Sequence, residues 1–250
     1  MNLLRILPKP EKSLIGADLK ELYSWPNKFW VRASMVQDLT GSITDASGSA
    51  ANLSTPGDKE VFRNLRQLCD LILVGAKTAM SAPYLNIKIN AENAEVRKSL
   101  KMTPKPRVAI VSNELSITKE WLKTRVDNEL PLIYTHQDNE SKLKNFLGLA
   151  EFVFTGQRQV VLSSVKDDLT RRFLNKVVCE GGPQLLHGLV ANNVLDEIAL
   201  SIVPFISGSP DLDHVLHGSA FQIIKELTPI QILQAEQTLL LRYLLPGRKF

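Results

Sequence analysis

The feature that most limits how this chain can fold is a short, continuous apolar run that recurs four times, each time beside a segment of helical length. Asp70-Leu-Ile-Leu-Val74 ends at Gly75, and Arg107-Val-Ala-Ile-Val-Ser112, Pro131-Leu-Ile-Tyr-Thr135 and Lys176-Val-Val-Cys-Glu180 repeat the form. Strands without polar alternation are buried on both faces, which is the condition of a parallel sheet. Between them the apolar spacing turns helical. Asp58 is expected to cap a helix carrying Val61, Leu65 and Leu68, and further helices are expected over 118–126, 141–149, 167–174 and 183–192. Trp30 to Val36 reads as a first strand ahead of all of these. Such alternation implies right-handed crossovers with helices covering both faces. Beyond Asp196 the pattern changes: Glu197–Val203, Phe221–Glu226 and Thr238–Leu244 read as strands with no helix between them, so the sheet ends antiparallel. The expectation is an α/β fold, with residues 1–28 as a lead-in packed on the outside and 29–250 as one domain.

Composition narrows the function classes. An apolar fraction of 44% with 22% charged residues describes a globular chain rather than a disordered one. The net charge of +4 is small and the basic residues form no long run, so nucleic acid is not the expected partner. No apolar stretch reaches membrane-spanning length, and the best candidate, Thr238–Pro246, is interrupted by Arg242. Cys69 and Cys179 read as reduced, buried thiols, and with no secretory signal in view the expected address is the cytoplasm.

The sharpest local feature is Cys179-Glu180-Gly181-Gly182-Pro183-Gln184-Leu185-Leu186. Two glycines stand where a buried strand hands over to a helix, with proline at the first turn. Backbone can approach a ligand closely there, and free helix N–H groups face an anion. A plain tight turn would use the same glycines, but a charged Glu180 at the end of an apolar strand favours a site at a strand's carboxyl end. Leu73-Val-Gly75-Ala-Lys-Thr78 is a second strand ending in small residues, and Thr78 either contacts a phosphate or caps a helix. Neither segment has the frame of a P-loop or of a dinucleotide fingerprint. The small polar stretch from Asp38 to Gly57 is a candidate ligand-facing loop. No nucleophile elbow and no zinc-deaminase signature is present. His214 and His217, near Asp211 and Asp213, read as a solvated loop before a metal site. Arg97, Lys98, Lys101, Lys105 and Arg107 read as a solvated linker, with a phosphate patch as the second reading.

Three blocks in order give the chain a resemblance. They are Tyr23-Ser-Trp-Pro26 leading to Trp30–Val36; Asp58 through Val61-Phe62, Leu65-Arg66 and Asp70–Gly75 to Thr78; and Cys179–Pro183 continued by Leu185, Leu195-Asp-Glu197 and Pro204. The chain resembles the pyrimidine reductases of riboflavin biosynthesis, the reductase domain of the bifunctional deaminase–reductase, and most of all the stand-alone actinobacterial form. That resemblance implies a three-layer fold like dihydrofolate reductase, a homodimer, and NADPH bound at the carboxyl edge of the sheet. It also implies hydride transfer to the ribose C1′ of 5-amino-6-(5-phosphoribosylamino)uracil, a small phosphorylated substrate.

Carried over by position, the resemblance puts Gly75, Thr78, Ser112, Gly181, Gly182, Pro183, Gln184, Leu185 and Leu186 at NADPH, with Val36 and Ile43 on the nicotinamide side. Arg66, Leu85, Lys88 and Glu180 fall at the substrate, with Glu180 orienting the pyrimidine or relaying a proton. Departures cluster on the substrate side. Asp38-Leu-Thr40-Gly41 replaces the family's S-x-D-G, Ser81 and Ala82 stand where an acidic residue is usual, and Lys88 replaces an arginine. A reductase of a pterin-like or other heterocycle, and an idle nucleotide-binding homologue, are the alternatives those changes raise.

Overall fold

Among the described residues ten strands follow one another: β1 (Leu3–Leu7), β2 (Trp30–Gln37), β3 (Leu71–Gly75), β4 (Arg107–Val111), β5 (Leu132–Thr135), β6 (Glu151–Phe154), β7 (Lys176–Cys179), β8 (Glu197–Ile202), β9 (Thr228–Ala235) and β10 (Thr238–Leu244). In this computed structural model they form one sheet in the order β1-β9-β10-β8-β2-β7-β3-β4-β5-β6. Described are residues 3–7, 19–81, 84–126, 129–207, 214–219, 221 and 224–250. From β8 to β6 every pairing is parallel, and β10, β9 and β1 close the other side antiparallel. The mostly parallel sheet with an antiparallel end is therefore as expected. The segment at 3–7, read as part of an outer lead-in, forms the edge strand beside β9.

Helices α1 (Leu19–Leu22), α2 (Pro56–Leu68), α3 (Ala76–Met80), α4 (Ala91–Ser99), α5 (Lys119–Leu122), α6 (Leu162–Arg171) and α7 (Pro183–Ala191) complete the layers. Strand alternation sorts the core between them. Val31, Ala33, Val177 and Cys179 pack with Val165 and Leu169 of α6 and Leu186 and Leu189 of α7. Ile72, Val74, Ile110 and Val178 face the other way, onto Val61 and Leu65 of α2.

Several boundaries differ from the sequence reading. Thr55, not Asp58, caps α2, with its hydroxyl accepting from the Asp58 N–H and Pro56 opening the helix. The expected helix over 141–149 is a 3-10 segment at Gln137–Phe146, and β6 follows it unforeseen. The helix expected over 167–174 starts earlier, at Leu162, and the one over 118–126 shrinks to Lys119–Leu122. The described residues of 221–226 are not a strand; β9 at Thr228–Ala235 is, because it can pair directly with β10 through a tight turn. Arg97 is no part of a solvated linker. On α4 it points inward, its NH1 donating to the Gln67 and Cys69 carbonyls at 3.0 and 2.7 Å, where α2 leaves acceptors unmet.

At the amino edge of β2 and β8 lies a buried ionic knot. Glu197 Oε1 is 2.9 Å from Arg32 Nε and 2.6 Å from Arg242 Nε, and its Oε2 accepts from Trp30 Nε1 at 2.9 Å. The carboxyl edge, at the opposite end of the same strands, is left for chemistry.

Candidate active site at the carboxyl edge of the sheet

Strand β7 leads into Glu180-Gly181-Gly182, and the glycines are needed there for steric reasons. Gly181 has φ +83°, a left-handed conformation that L side chains resist. A Cβ at Gly182 would sit 2.8 Å from Thr78 Oγ1. The Gly75 N–H donates to the Gly181 carbonyl at 2.8 Å, so the ends of β3 and β7 are tied directly. Gly75, Thr78, Gly181 and Gly182, separated by a hundred residues of sequence, thus form one surface. Helix α7 begins on Gly182, which has no side chain to cap it. The N–H groups of Gln184 and Leu185 have no intrahelical acceptor, and Leu185 and Leu186 turn their side chains into the core. The cradle fits a phosphate-bearing cofactor: backbone donors, the positive end of a helix, and no Cβ in the way.

Glu180 faces the opposite way, onto α2. Both of its oxygens accept from Arg66, Nε and NH2 each at 2.6 Å, in a fork-to-fork pair. The Glu180 side chain is only 2% exposed and that of Arg66 18%. The guanidinium lies over Phe62, 4.3 Å from its centroid, and over Tyr84, 4.7 Å away. Burial works against the charge on Arg66, but hydrogen bonding and the charge of Glu180 outweigh it and push its pKa up. Burial first, then the charge of Glu180, pushes the Tyr84 hydroxyl up. Leu85 is buried next to Tyr84, whereas Lys88 is exposed and joined to this pair by no hydrogen bond or ion pair among the described residues. Ala82 and Pro83, which precede Tyr84 and Leu85, lie outside the described residues. The sequence assigns no role to Tyr84, or to Phe62 beyond its place in the second block; Phe62, one turn before Arg66, was the available signal.

The polar loop after β2 is organised by Asp38, which is fully buried. It accepts from Thr40 N and Oγ1 at 2.8 and 2.7 Å, from Ser42 N at 3.0 Å, and from Ser207 N and Oγ at 2.7 Å each. Burial would raise its pKa, but these donors hold it well below the ordinary carboxylate value. Val36 stands half-buried at the end of β2, and Ile43 is buried in the loop. Ser112 follows β4 and spends its hydroxyl oxygen on the Ser116 N–H at 3.2 Å.

Among the described residues the neighbourhood offers no thiolate and no metal centre. Both cysteines are free and buried, and burial pushes the Cys179 thiol up to about 12, far from thiolate reactivity. No group of His, Cys, Asp and Glu able to hold a metal exists among the described residues, and Asp211 and Asp213 fall outside them. Among those residues no helix is long and apolar enough to cross a membrane.

Residues 29–241 match the model of one protein family, the RibD C-terminal domain. The chain belongs to that family. Among its relatives is the 2,5-diamino-6-ribosylamino-4(3H)-pyrimidinone 5′-phosphate reductase of Archaeoglobus fulgidus, 27% identical over 196 residues, covering 77% of this chain and 88% of the relative. The enzyme of the same name from Methanothermobacter thermautotrophicus is 22% identical over 207 residues, covering 81% and 90%. Among solved structures, a pyrimidine reductase-like protein from Corynebacterium diphtheriae superposes with TM-score 0.76 at 21% identity, covering 91% of this chain and 98% of that one. The bifunctional deaminase/5-amino-6-(5-phosphoribosylamino)uracil reductase of Thermotoga maritima gives 0.67 at 16% identity, over 87% of this chain and 57% of the larger protein. Those likenesses establish that the RibD C-terminal fold is the one this sequence adopts.

Proposed function

We propose that the protein is an NADPH-dependent reductase converting the ribose of 5-amino-6-(5-phosphoribosylamino)uracil into an open ribityl chain. What carries this reading is one juxtaposition: the uncapped glycine cradle at α7 and the Arg66–Glu180 pair share the carboxyl edge of the sheet in a RibD C-terminal chain. A second reading takes the 2-amino pyrimidinone phosphate as substrate, and the names of the archaeal relatives favour it. The two substrates differ at one ring position.

In either case Thr78, Gly181, Gly182 and the N–H groups of Gln184 and Leu185 would hold the cofactor, with Ser112 beside them and Val36 and Ile43 on the nicotinamide side. NADPH, when bound, supplies the hydride. Arg66 is fixed by Glu180 through Nε and NH2 and so presents a rigid cation to the substrate phosphate, with the exposed Lys88 as a second charge. Glu180, held by two charge-assisted bonds, suits orientation of the pyrimidine better than proton relay. Asp38 is committed to five donors and serves to shape the loop. The same reading carries a homodimer and a cytoplasmic address, which sedimentation and cell fractionation test.

The purified protein is mixed with NADPH and either pyrimidine phosphate, and reduced-nicotinamide absorbance is followed. Faster loss with one substrate assigns it, and a Glu180→Gln variant is expected to raise KM at least tenfold. No loss with either, while NADPH binding persists by fluorescence, overturns the substrate half of the reading.

A further inference from the structure

One buried carboxyl at this edge is not used by the site described above. Asp58, in the first turn of α2, is 8% exposed. A carboxylate at that position of a helix ordinarily reaches back to the capping residue's own N–H. Asp58 instead takes the Ser54 hydroxyl, and the side chain of Ser201 on β8 lies on the sheet face below it and favours its charged form. Ser201 is the register partner of Val36, and Ala33 that of Cys179, so Asp58, near Ser201, stands toward the carboxyl end of β2 while Glu180 stands level with Ser34 on the far side of that strand. By strand alternation Ser34, Val36, Ser201 and Glu180 all face α2. Asp58, Phe62 and Arg66 follow one another at four-residue spacing along the same stripe of that helix. A single surface therefore has the Arg66–Glu180 pair at one end, and at the other a carboxyl beside the residue assigned to the nicotinamide.

We propose that Asp58, held by Ser54 and Ser201, is the proton donor to the substrate's reacting nitrogen, and that Glu180 is not. The inference rests on the reductase reading above. Opening of the sugar ring breaks C1′–O4′, forms C1′=N, and moves the N–H proton to O4′. Hydride then adds to C1′, the π pair of C=N moves onto nitrogen, and that nitrogen takes the proton of the Asp58 carboxyl. One NADPH and one proton are consumed, and the Asp58 carboxylate is reloaded from solvent. Hydroxyl partners suit this cycle, because Ser54 and Ser201 can accept from the acid and donate to the carboxylate. Burial raises the pKa of Asp58 against those hydroxyls and against the charge of Lys59, while Tyr23, kept neutral by burial, shares its electrostatic surroundings.

Asp58→Asn keeps the backbone N–H that Thr55 caps, and it is expected to bind NADPH normally. Its kcat should fall about 100- to 10,000-fold with little change in KM. Wild-type kcat should decline with one-proton slope as pH rises through the Asp58 pKa, and the decline should vanish in the variant. Infrared difference spectra give an activity-free readout: a protonated-carboxyl stretch present in the wild type and missing in Asp58→Asn. A folded Asp58→Asn retaining kcat within tenfold overturns the inference, as does absence of that stretch in the wild type. If Asp58→Asn fails to fold, the wild-type stretch and pH limb decide alone, the loss of either overturning it. A wild type that binds NADPH but turns over neither pyrimidine overturns the substrate half of the reductase reading, and the inference falls with it.

Discussion

Glu180 shows how far a single residue's role depends on its partner. Alone at the end of an apolar strand it reads as a reactive carboxylate, but with both oxygens on Arg66 it becomes half of a rigid electrostatic unit. Removing one partner of a buried pair leaves the other charge uncompensated, which typically costs about 3–5 kcal/mol. Arg66 is partly exposed, so the lower end applies. Arg66→Ala is expected to destabilise the protein by about 3 kcal/mol in urea denaturation, and adding Glu180→Gln should restore part of that. Strict additivity of the two losses would show that the pair is not coupled. Arg66→Lys keeps the charge but loses the fork, so it should fall between wild type and Arg66→Ala.

At the scale of elements, the turn joining β7 to α7 depends on contact with α3. A Cβ at Gly182 would meet Thr78 Oγ1 at 2.8 Å, and that clash has a specific remedy. Gly182→Ala should destabilise the fold by roughly 1–3 kcal/mol through overpacking. In a Thr78→Ala background the same substitution should cost at least 1 kcal/mol less, as a double-mutant cycle by urea denaturation would measure. Equal cost in both backgrounds would mean that the loss is conformational rather than steric. This turn was legible in the sequence because Gly-Gly-Pro after three apolar residues and a glutamate has few structural uses. The β9–β10 hairpin was not. Its connection is Glu236-Gln237, with Glu236 at φ +54°, and nothing in that dipeptide announces a turn as Asn-Gly would. Similarly, Arg97 looked like one of several loop cations, since only the packing of α4 on the end of α2 turns it inward. The cofactor side of the site, built from local turns, could be read from the chain. The substrate side could be read only in part, because Tyr84 and Ser201 acquire their roles through contacts between distant segments, whereas Phe62 stands one helical turn from Arg66.

For the whole molecule, the two ends of the parallel strands have divided their work, and pH should separate them. At the amino edge, burial would raise the pKa of Glu197, but the charges of Arg32 and Arg242 outweigh it and hold the carboxyl below its ordinary 4.5. A carboxylate with a depressed folded pKa contributes stability above the unfolded pKa and loses it as pH falls through the folded one. Unfolding free energy should therefore decline below about pH 4.5, as the unfolded chain takes up protons that folded Glu197 resists. Asp58 and Asp196 work in the opposite sense: burial raises both, so their contribution is present in acid and is lost as pH rises through their folded values. Glu197→Gln should cost about 3–5 kcal/mol at neutral pH, since it leaves two buried guanidiniums sharing a neutral amide. It should also flatten the decline between about pH 5 and 3, which urea titrations across that range would show. An unchanged slope in Glu197→Gln would transfer the acid sensitivity to Asp38, Glu151 and Asp168, whose pKa values are likewise lowered by their donors. The amino edge would then be a mechanical fastening, with no part in setting the pH range over which the carboxyl edge can work.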